Sequence, residues 1–307
     1  MPRQPTLCYM TPSYRGDMER FALLRRSLRA FSPDIPHVVH VDTEDLPMFR
    51  DRFGAEPGLS LVPTADVLPA QIESQRRFWR GWQGRLLSRV DWRIRSHGRF
   101  YSGWKLQQVV KLIAAAQAEA EAVVFLDSDI FLCGPVGPAA YFEAGRLRLL
   151  ETPAETYEDL AFEVSRQLIV GGDLGERARA FNYIHQAPRF LRRTAATLLR
   201  HLEALDPRWP EKLFRQPFPS EYNLLGYAAR ELEQYRDYLV EPSPRAGWVY
   251  EVKHREDLEA TFETCRQERG RRGFVLVQSN LRMEAASYAS AAEALIAELA
   301  ATDAGRD

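Results

Sequence analysis

Apolar residues in this 307-residue chain come in short blocks that end in polar ones, and the blocks alternate between two spacings. Thr6-Leu7-Cys8-Tyr9-Met10 reads as a strand closed by the turn-rich Thr11-Pro12-Ser13-Tyr14-Arg15-Gly16-Asp17. Phe21, Leu24, Leu28 and Phe31 then recur at helical spacing, which predicts a helix to about Phe31. Val38-Val39-His40-Val41-Asp42 predicts a second strand, again ending in an acid, and Leu59-Ser60-Leu61-Val62 a third. Strand, loop, helix, strand is the pattern of an open α/β sheet, which binds ligands beyond the carboxyl ends of its strands.

The most informative block is Val123-Val124-Phe125-Leu126-Asp127-Ser128-Asp129-Ile130-Phe131-Leu132. A buried strand is expected to deliver Asp127 and Asp129 to the sheet edge, and in an extended backbone residues i and i+2 face one side. Two clustered carboxylates repel unless a positive charge lies between them. A hard divalent cation completed by water and phosphate oxygens would serve, so a metal-bound diphosphate is the first chemistry to consider.

Further along, Leu106, Val109, Val110 and Ile113 make the apolar face of a helix opening near Ser102, with Trp104 as a packing anchor and Lys105 in its first turn. A cation there gains nothing from the helix dipole, so Lys105 is a candidate phosphate or sugar contact. Arg146 to Glu151 reads as a strand, and residues 155 to 205 as helical and Arg-rich, with His185 expected as a hydrogen-bonded structural histidine. In Ser220-Glu221-Tyr222-Asn223-Leu224-Leu225-Gly226, Ser220 suits an N-cap and Glu221 the first helical position. That is a rigid mounting for a general base. Gly273 to Asn280 reads as a late strand with polar residues at its end, and Ala285 to Leu299 as a terminal helix.

A formal net charge of −1 argues against nucleic acid as a partner. No run approaches the ~18 apolar residues of a membrane span, and the start lacks a signal-peptide core, so cytoplasm is the expected compartment. Cys8, Cys133 and Cys265 fit reduced, structural thiols. Between Gln75 and Arg99 eight arginines stand against the lone Asp91, with Trp79, Trp82 and Trp92 interleaved. This predicts a helical insertion, read either as a solvated amphipathic segment or as a basic lid. A lid would hold an anionic or lipid-linked acceptor or the donor phosphates, or touch a membrane's inner face.

Taken in order, Thr11 to Asp17, Gly103-Trp104-Lys105-Leu106-Gln107-Gln108, Asp127-Ser128-Asp129, Ser220 to Gly226 and Val277-Gln278-Ser279-Asn280 resemble nucleotide-sugar glycosyltransferases of the GT-A fold. More narrowly, they resemble the bacterial DUF6492-type group. The resemblance spans residues 6 to 280. It implies one Rossmann-like domain over 1–307 with a mixed, mainly parallel sheet. It also implies a UDP- or GDP-sugar donor, Mn²⁺ or Mg²⁺, and transfer of a hexosyl unit to an acceptor hydroxyl, in the setting of cell-surface glycan or glycolipid synthesis. Thr11, Ser13, Tyr14, Asp17, Lys105, Gln108, Asp127 and Ser128 would border the donor. Asp127 and Asp129 would hold the metal, and Glu221 would be the base of an inverting reaction. A C-terminal histidine common in such enzymes is missing from the last strand, so Gln278, Asn280 or His254 would substitute, or the acid pair and water would suffice. Two rivals stand beside this reading. One is a non-catalytic nucleotide-sugar-binding protein. The other is a haloacid-dehalogenase-type phosphohydrolase, disfavoured because its acid pair usually lies near the start of the fold.

Overall fold

The structure is a computed structural model that describes residues 5–82, 86, 103–155, 168–169, 181–215, 220–242, 249–271, 273–278 and 281–304. Most of the Arg/Trp segment after Trp82 therefore lies outside the described residues, as do Ser279 and Asn280.

The first apolar block forms β1 (Leu7–Ser13), buried along its whole length. After a short turn come α1 (Met18–Phe31), β2 (His37–Val41), α2 (Leu46–Phe53), β3 (Leu59–Pro63) and α3 (Ala70–Arg80). The helix predicted near residue 104 is α4 (Trp104–Gln117), and it leads into β4 (Ala122–Phe125), also fully buried. Near-continuous apolar strands of this kind belong in a parallel sheet covered on both faces. The main sheet has the order β10-β4-β1-β2-β3, with β1 to β4 parallel. Its last member, β10 (Arg189–Leu191), runs antiparallel to β4.

The chain thus builds outward from β1 to β3, then returns to the other side of β1 with β4. That reversal lies between β1 and β4 and makes a topological switch point at their carboxyl ends. On one side α1 packs on the terminal helix and on β5 (Ile130–Leu132), while α4 packs on α5 (Arg192–Leu205), α6 (Trp209–Arg215) and α7 (Glu221–Tyr227). Smaller sheets complete the architecture. β7 (Arg146–Leu150) pairs with β6 (Phe142–Glu143) on one side and β11 (Tyr238–Glu241) on the other, and β8 (Thr152–Pro153) pairs with β9 (Phe181–Asn182). β12 (Val249–Val252) and β13 (Phe274–Val277), separated by α8 (Leu258–Gln267), join β5. The chain closes on α9 (Ala289–Ala304). The expected mixed, mainly parallel sheet flanked by helices is present.

Two expectations need correction. The acids do not sit in one extended strand: β4 stops at Phe125, and Asp127 to Ile130 form a tight turn in which the Ile130 amide donates to the Asp127 carbonyl at 3.2 Å. The apolar run is therefore two strands in two sheets, with the acids at the corner where the chain crosses between them. Nor is the stretch from 155 to 205 uniformly helical, because β9 and β10 lie inside it. Arg189, Phe190 and Leu191 are all buried, but three residues are too few to show an alternation.

Candidate functional site

All four parallel strands send a residue from their carboxyl ends into one cleft of about 660 Å³. Ser13 closes β1, Asp42 follows β2, Thr64 follows β3, and Asp127 lies just beyond β4. Pro12, Tyr14, Asp17, Arg20, His40, Arg80, Gly103, Trp104, Ser128 and Asp129 also line it. The first-strand loop and the acid turn, far apart in sequence, meet here: the Ser13 and Ser128 hydroxyls are 3.2 Å apart. Tyr14 is exposed at the rim, and its ring occupies the space where a side chain on Gly16 would stand, 2.5 Å from an added Cβ. Glycine at 16 is what lets the ring lie there.

Asp17 is the residue before α1, but its side chain makes no capping bond. The carboxylate instead faces the Arg20 guanidinium at 3.3 Å. Burial raises its pKa despite Arg20, and the nearby charge of Asp127 adds to that rise. Arg20 also donates to the Met283 carbonyl at 2.8 Å, so it ties α1 to the segment before α9 at the cleft wall.

Several expected site residues are built into the walls. Thr11 is fully buried and donates to the Leu126 carbonyl at 2.6 Å. His37 is 2.8 Å from the Thr11 hydroxyl and 3.2 Å from Arg25. With Arg25 donating to Nδ1, His37 donates through Nε2 to Thr11. Thr11 therefore fixes the backbone just before the acids and does not border the cleft. Gln108 is buried, and its side-chain carbonyl accepts the Glu221 amide at 2.8 Å, so it holds the start of α7. Lys105 turns to the Phe214 carbonyl at 2.7 Å and does not line the cleft.

Glu221 departs most from expectation. It is the first residue of α7, and Ser220 caps that helix by accepting the Asn223 amide at 3.2 Å. Its carboxylate is only 2% exposed, however, and lies 2.8 Å from the ammonium of Lys111. Burial raises the Glu221 pKa, while Lys111 pulls it down. A carboxylate enclosed in this way is not an open base, and the expectation of inversion loses its footing with it.

Lys111, unmarked in the sequence reading, is the missed residue. Its ammonium donates to Glu221, to the Tyr222 hydroxyl at 2.6 Å, and lies 2.9 Å from Asp127. Burial works against the charge, but Asp127 and Glu221 outweigh it and hold the pKa well above the usual lysine range. The available signal was a polar stripe, Gln107, Gln108 and Lys111, at helical spacing on a helix that otherwise belongs to the core. Buried lysine is rare unless paired, so its partners were there to be sought.

On the β2 side, Arg76 plays the corresponding part. Its guanidinium donates to both Asp42 oxygens at 3.0 Å and to Glu73 at 2.7 and 2.9 Å. Arg80 adds a contact to Asp42 at 2.5 Å. Burial alone would raise the Asp42 carboxyl, but the hydrogen bonds and charges of Arg76 and Arg80 hold it below its ordinary value.

Of the expected metal ligands, Asp127 and Asp129 both line the cleft. Gln278 spends its amide on Glu251, and His254 is exposed and caps the turn at 255–257 without lining the cleft. Asn280 lies outside the described residues. Among the described residues no group of three or more His, Cys, Asp or Glu closes on one point. What remains fits a hard cation held by one or two carboxylates and completed by substrate phosphates and water. His185, as expected, is satisfied structurally, donating to the Asn182 carbonyl at 3.0 Å. No helix among the described residues is long and apolar enough to cross a membrane.

A family model described as "Family of unknown function (DUF6492)" matches residues 6–300. No curated protein matches the sequence. Among solved structures the chain is similar to the apo form of WbbM, a bifunctional glycosyltransferase, with 12% identity and TM-score 0.42 over 90% of this chain and 46% of that one. It is similar to the glycosyltransferase GlyE of Streptococcus pneumoniae TIGR4 (10% identity, TM-score 0.37, 78% of this chain and 45% of that one). A third is glucosyl-3-phosphoglycerate synthase of Mycobacterium tuberculosis in complex with Mn²⁺, UDP and glucosyl-3-phosphoglycerate (12% identity, TM-score 0.37, 84% and 76%). The chain spans about half the length of the first two.

Proposed function

The chain belongs to the DUF6492 family, and on the strength of its cleft we propose that it is a GT-A-type glycosyltransferase moving a sugar from a nucleoside-diphosphate donor to an acceptor hydroxyl. The observation that carries this reading is the convergence of Ser13, Tyr14, Asp17, Asp127, Ser128 and Asp129 at the carboxyl ends of β1 and β4. A switch-point cleft of this kind suits an elongated phosphorylated ligand. Strands lie ~4.8 Å apart, so the edge from β4 to β3 extends about 14 Å. That length accommodates a diphosphate at the acid turn and a nucleoside toward His40, Asp42 and Thr64.

Asp127 and Asp129 would hold Mn²⁺ or Mg²⁺ together with the diphosphate, and the bound ion would stabilise the negative charge of the leaving group. The Ser13 and Ser128 hydroxyls offer hydrogen bonds to phosphate oxygens, and Arg20 and Arg80 add positive charge along the same wall. Glu221 acts from behind the site through Lys111. The exposed side chains of Phe78, Trp82, Leu86 and Trp104, close in sequence to the cleft residues Arg80 and Gly103, favour an acceptor with apolar as well as anionic character.

The test is turnover. Incubation with UDP- and GDP-linked sugars plus Mn²⁺ or Mg²⁺ is expected to release nucleoside diphosphate, and Asp127→Asn or Asp129→Asn is expected to slow release by ~100-fold or more. Binding without release would favour the non-catalytic reading. Release that ignores both substitutions would sink the assignment.

A further inference from the structure

The ammonium of Lys111 is 4% exposed, donates to Glu221 and to the Tyr222 hydroxyl, and forms an ion pair with Asp127 at 2.9 Å. It also stands 4.6 Å from the centre of the Tyr222 ring. Buried among these three groups and absent from the cleft lining, the ammonium is a fixed part of the wall. Its effect falls on Asp127, whose side chain is 52% exposed to the cleft. One oxygen of the carboxylate that would hold a metal already has a cation beside it.

We infer that Lys111 is a built-in counter-cation that suppresses metal binding by the empty site, so that a divalent ion is held only together with a nucleoside diphosphate. The inference rests on the glycosyltransferase reading and deepens it. Three features support it. A metal held by Asp127 would share that carboxylate with an ammonium 2.9 Å from one of its oxygens, and two like charges on one carboxylate oppose each other. The described residues offer no third acidic, cysteine or histidine ligand to offset that. Glu221, buried and held 2.8 Å from the same ammonium, is not open to the metal. The diphosphate would supply what the protein withholds, namely further oxygen ligands and negative charge against both cations. Lys111 is therefore a positioning residue: it touches Asp127 and Glu221, not the substrate.

Mn²⁺ binding by calorimetry, or by loss of the free-ion paramagnetic resonance signal, tests this without turnover. The wild-type protein is expected to bind Mn²⁺ alone no tighter than about 1 mM, and at least tenfold tighter with UDP or GDP present. Lys111→Met removes the charge and frees the Asp127 oxygen, so it is expected to bind Mn²⁺ alone at least tenfold tighter than wild type. Because that variant leaves Glu221 buried without its partner, the double variant Lys111→Met/Glu221→Gln keeps the interior neutral and is expected to show the same gain. Glu221→Gln alone, which retains the ammonium, should show none. Wild-type binding of Mn²⁺ alone as tight as with nucleotide would overturn the inference, as would variants lacking Lys111 that fold and gain nothing. Failure to bind UDP or GDP with Mn²⁺ at all would instead strike the glycosyltransferase reading, and the inference with it.

Discussion

Two carboxylates guard the cleft, and each is backed by a buried cation with a second carboxylate behind it: Asp42–Arg76–Glu73 beyond β2, and Asp127–Lys111–Glu221 beyond β4. The motifs look alike, but their geometry differs. Arg76, 1% exposed, applies the fork of its Nε and Nη2 to Glu73 and gives Nη1 to both oxygens of Asp42, where Arg80 and the Glu44 amide add further contacts. Lys111 is a point charge that reaches one oxygen of Asp127 and leaves the carboxylate half in solvent. Two guanidiniums together saturate Asp42, whereas a lone ammonium orients Asp127. The first triad is therefore a structural clamp at the end of the cleft, and the second holds a carboxylate ready for a ligand.

Breaking the clamp is expected to have the largest effect on stability. Arg76→Met removes the buried cation that Asp42 and Glu73 share and leaves them only the more exposed Arg80 and Arg77, and loss of one partner from a buried ion network costs about 3–5 kcal/mol. Urea denaturation should register this as a lowered midpoint at unchanged slope. A loss below 1 kcal/mol would mean that Asp42 is as loosely held as Asp127, and the contrast would fail.

His40, between the two triads on β2, gives the next effect. Both of its ring nitrogens are buried without a hydrogen-bond partner among the described residues, and burial lowers its pKa from 6.5 to about 4. The unfolded chain takes up a proton below 6.5 and the folded chain does not until about 4. Stability therefore falls as pH drops through that window, by about 3 kcal/mol for this residue. His37, held well below its ordinary value by burial and by Arg25, acts in the same sense. His40→Phe should remove the His40 share, so that unfolding curves at pH 7 and pH 4.5 lie closer together than in wild type. An unchanged pH dependence would contradict the burial argument.

The smallest effect belongs to the mounting of Glu221. Ser220→Ala removes the cap of α7 and is expected to cost about 1 kcal/mol, seen as a modest fall in thermal midpoint. A much larger loss would show that the cap also holds the Lys111 triad together.

The contrast also explains what was legible in the sequence. Asp127, Asp129, Ser13, Tyr14 and Asp17 could be found because each stands where an apolar strand or its loop gives way to polar residues, and strand ends in such sheets face one edge. Thr11, Gln108 and Lys105 were equally suggestive by type and neighbourhood. Their roles depend on which way a side chain turns, and their partners, Leu126, Glu221 and Phe214, are distant in sequence. Lys111 was hidden for the opposite reason: its position on a core helix drew attention to the apolar face. The sequence places Glu221 at the N-terminus of a helix but not in the interior, since helix position says nothing about what packs against the end. The break between β4 and β5 is invisible in sequence because the three-residue Asp127-Ser128-Asp129 turn inside an apolar run keeps the pattern of a single strand.

The central claim is that the cleft beside Asp127 holds a nucleoside diphosphate with a divalent ion. Calorimetric titration of UDP and GDP in the presence of Mn²⁺, on wild type and Asp127→Asn, tests it most directly. The expected result is saturable wild-type binding of at least one of the two nucleotides, weakened at least tenfold in Asp127→Asn, while the thermal midpoints of the nucleotide-free proteins stay close. Binding of equal strength in both proteins, or none in a folded wild type, would contradict it.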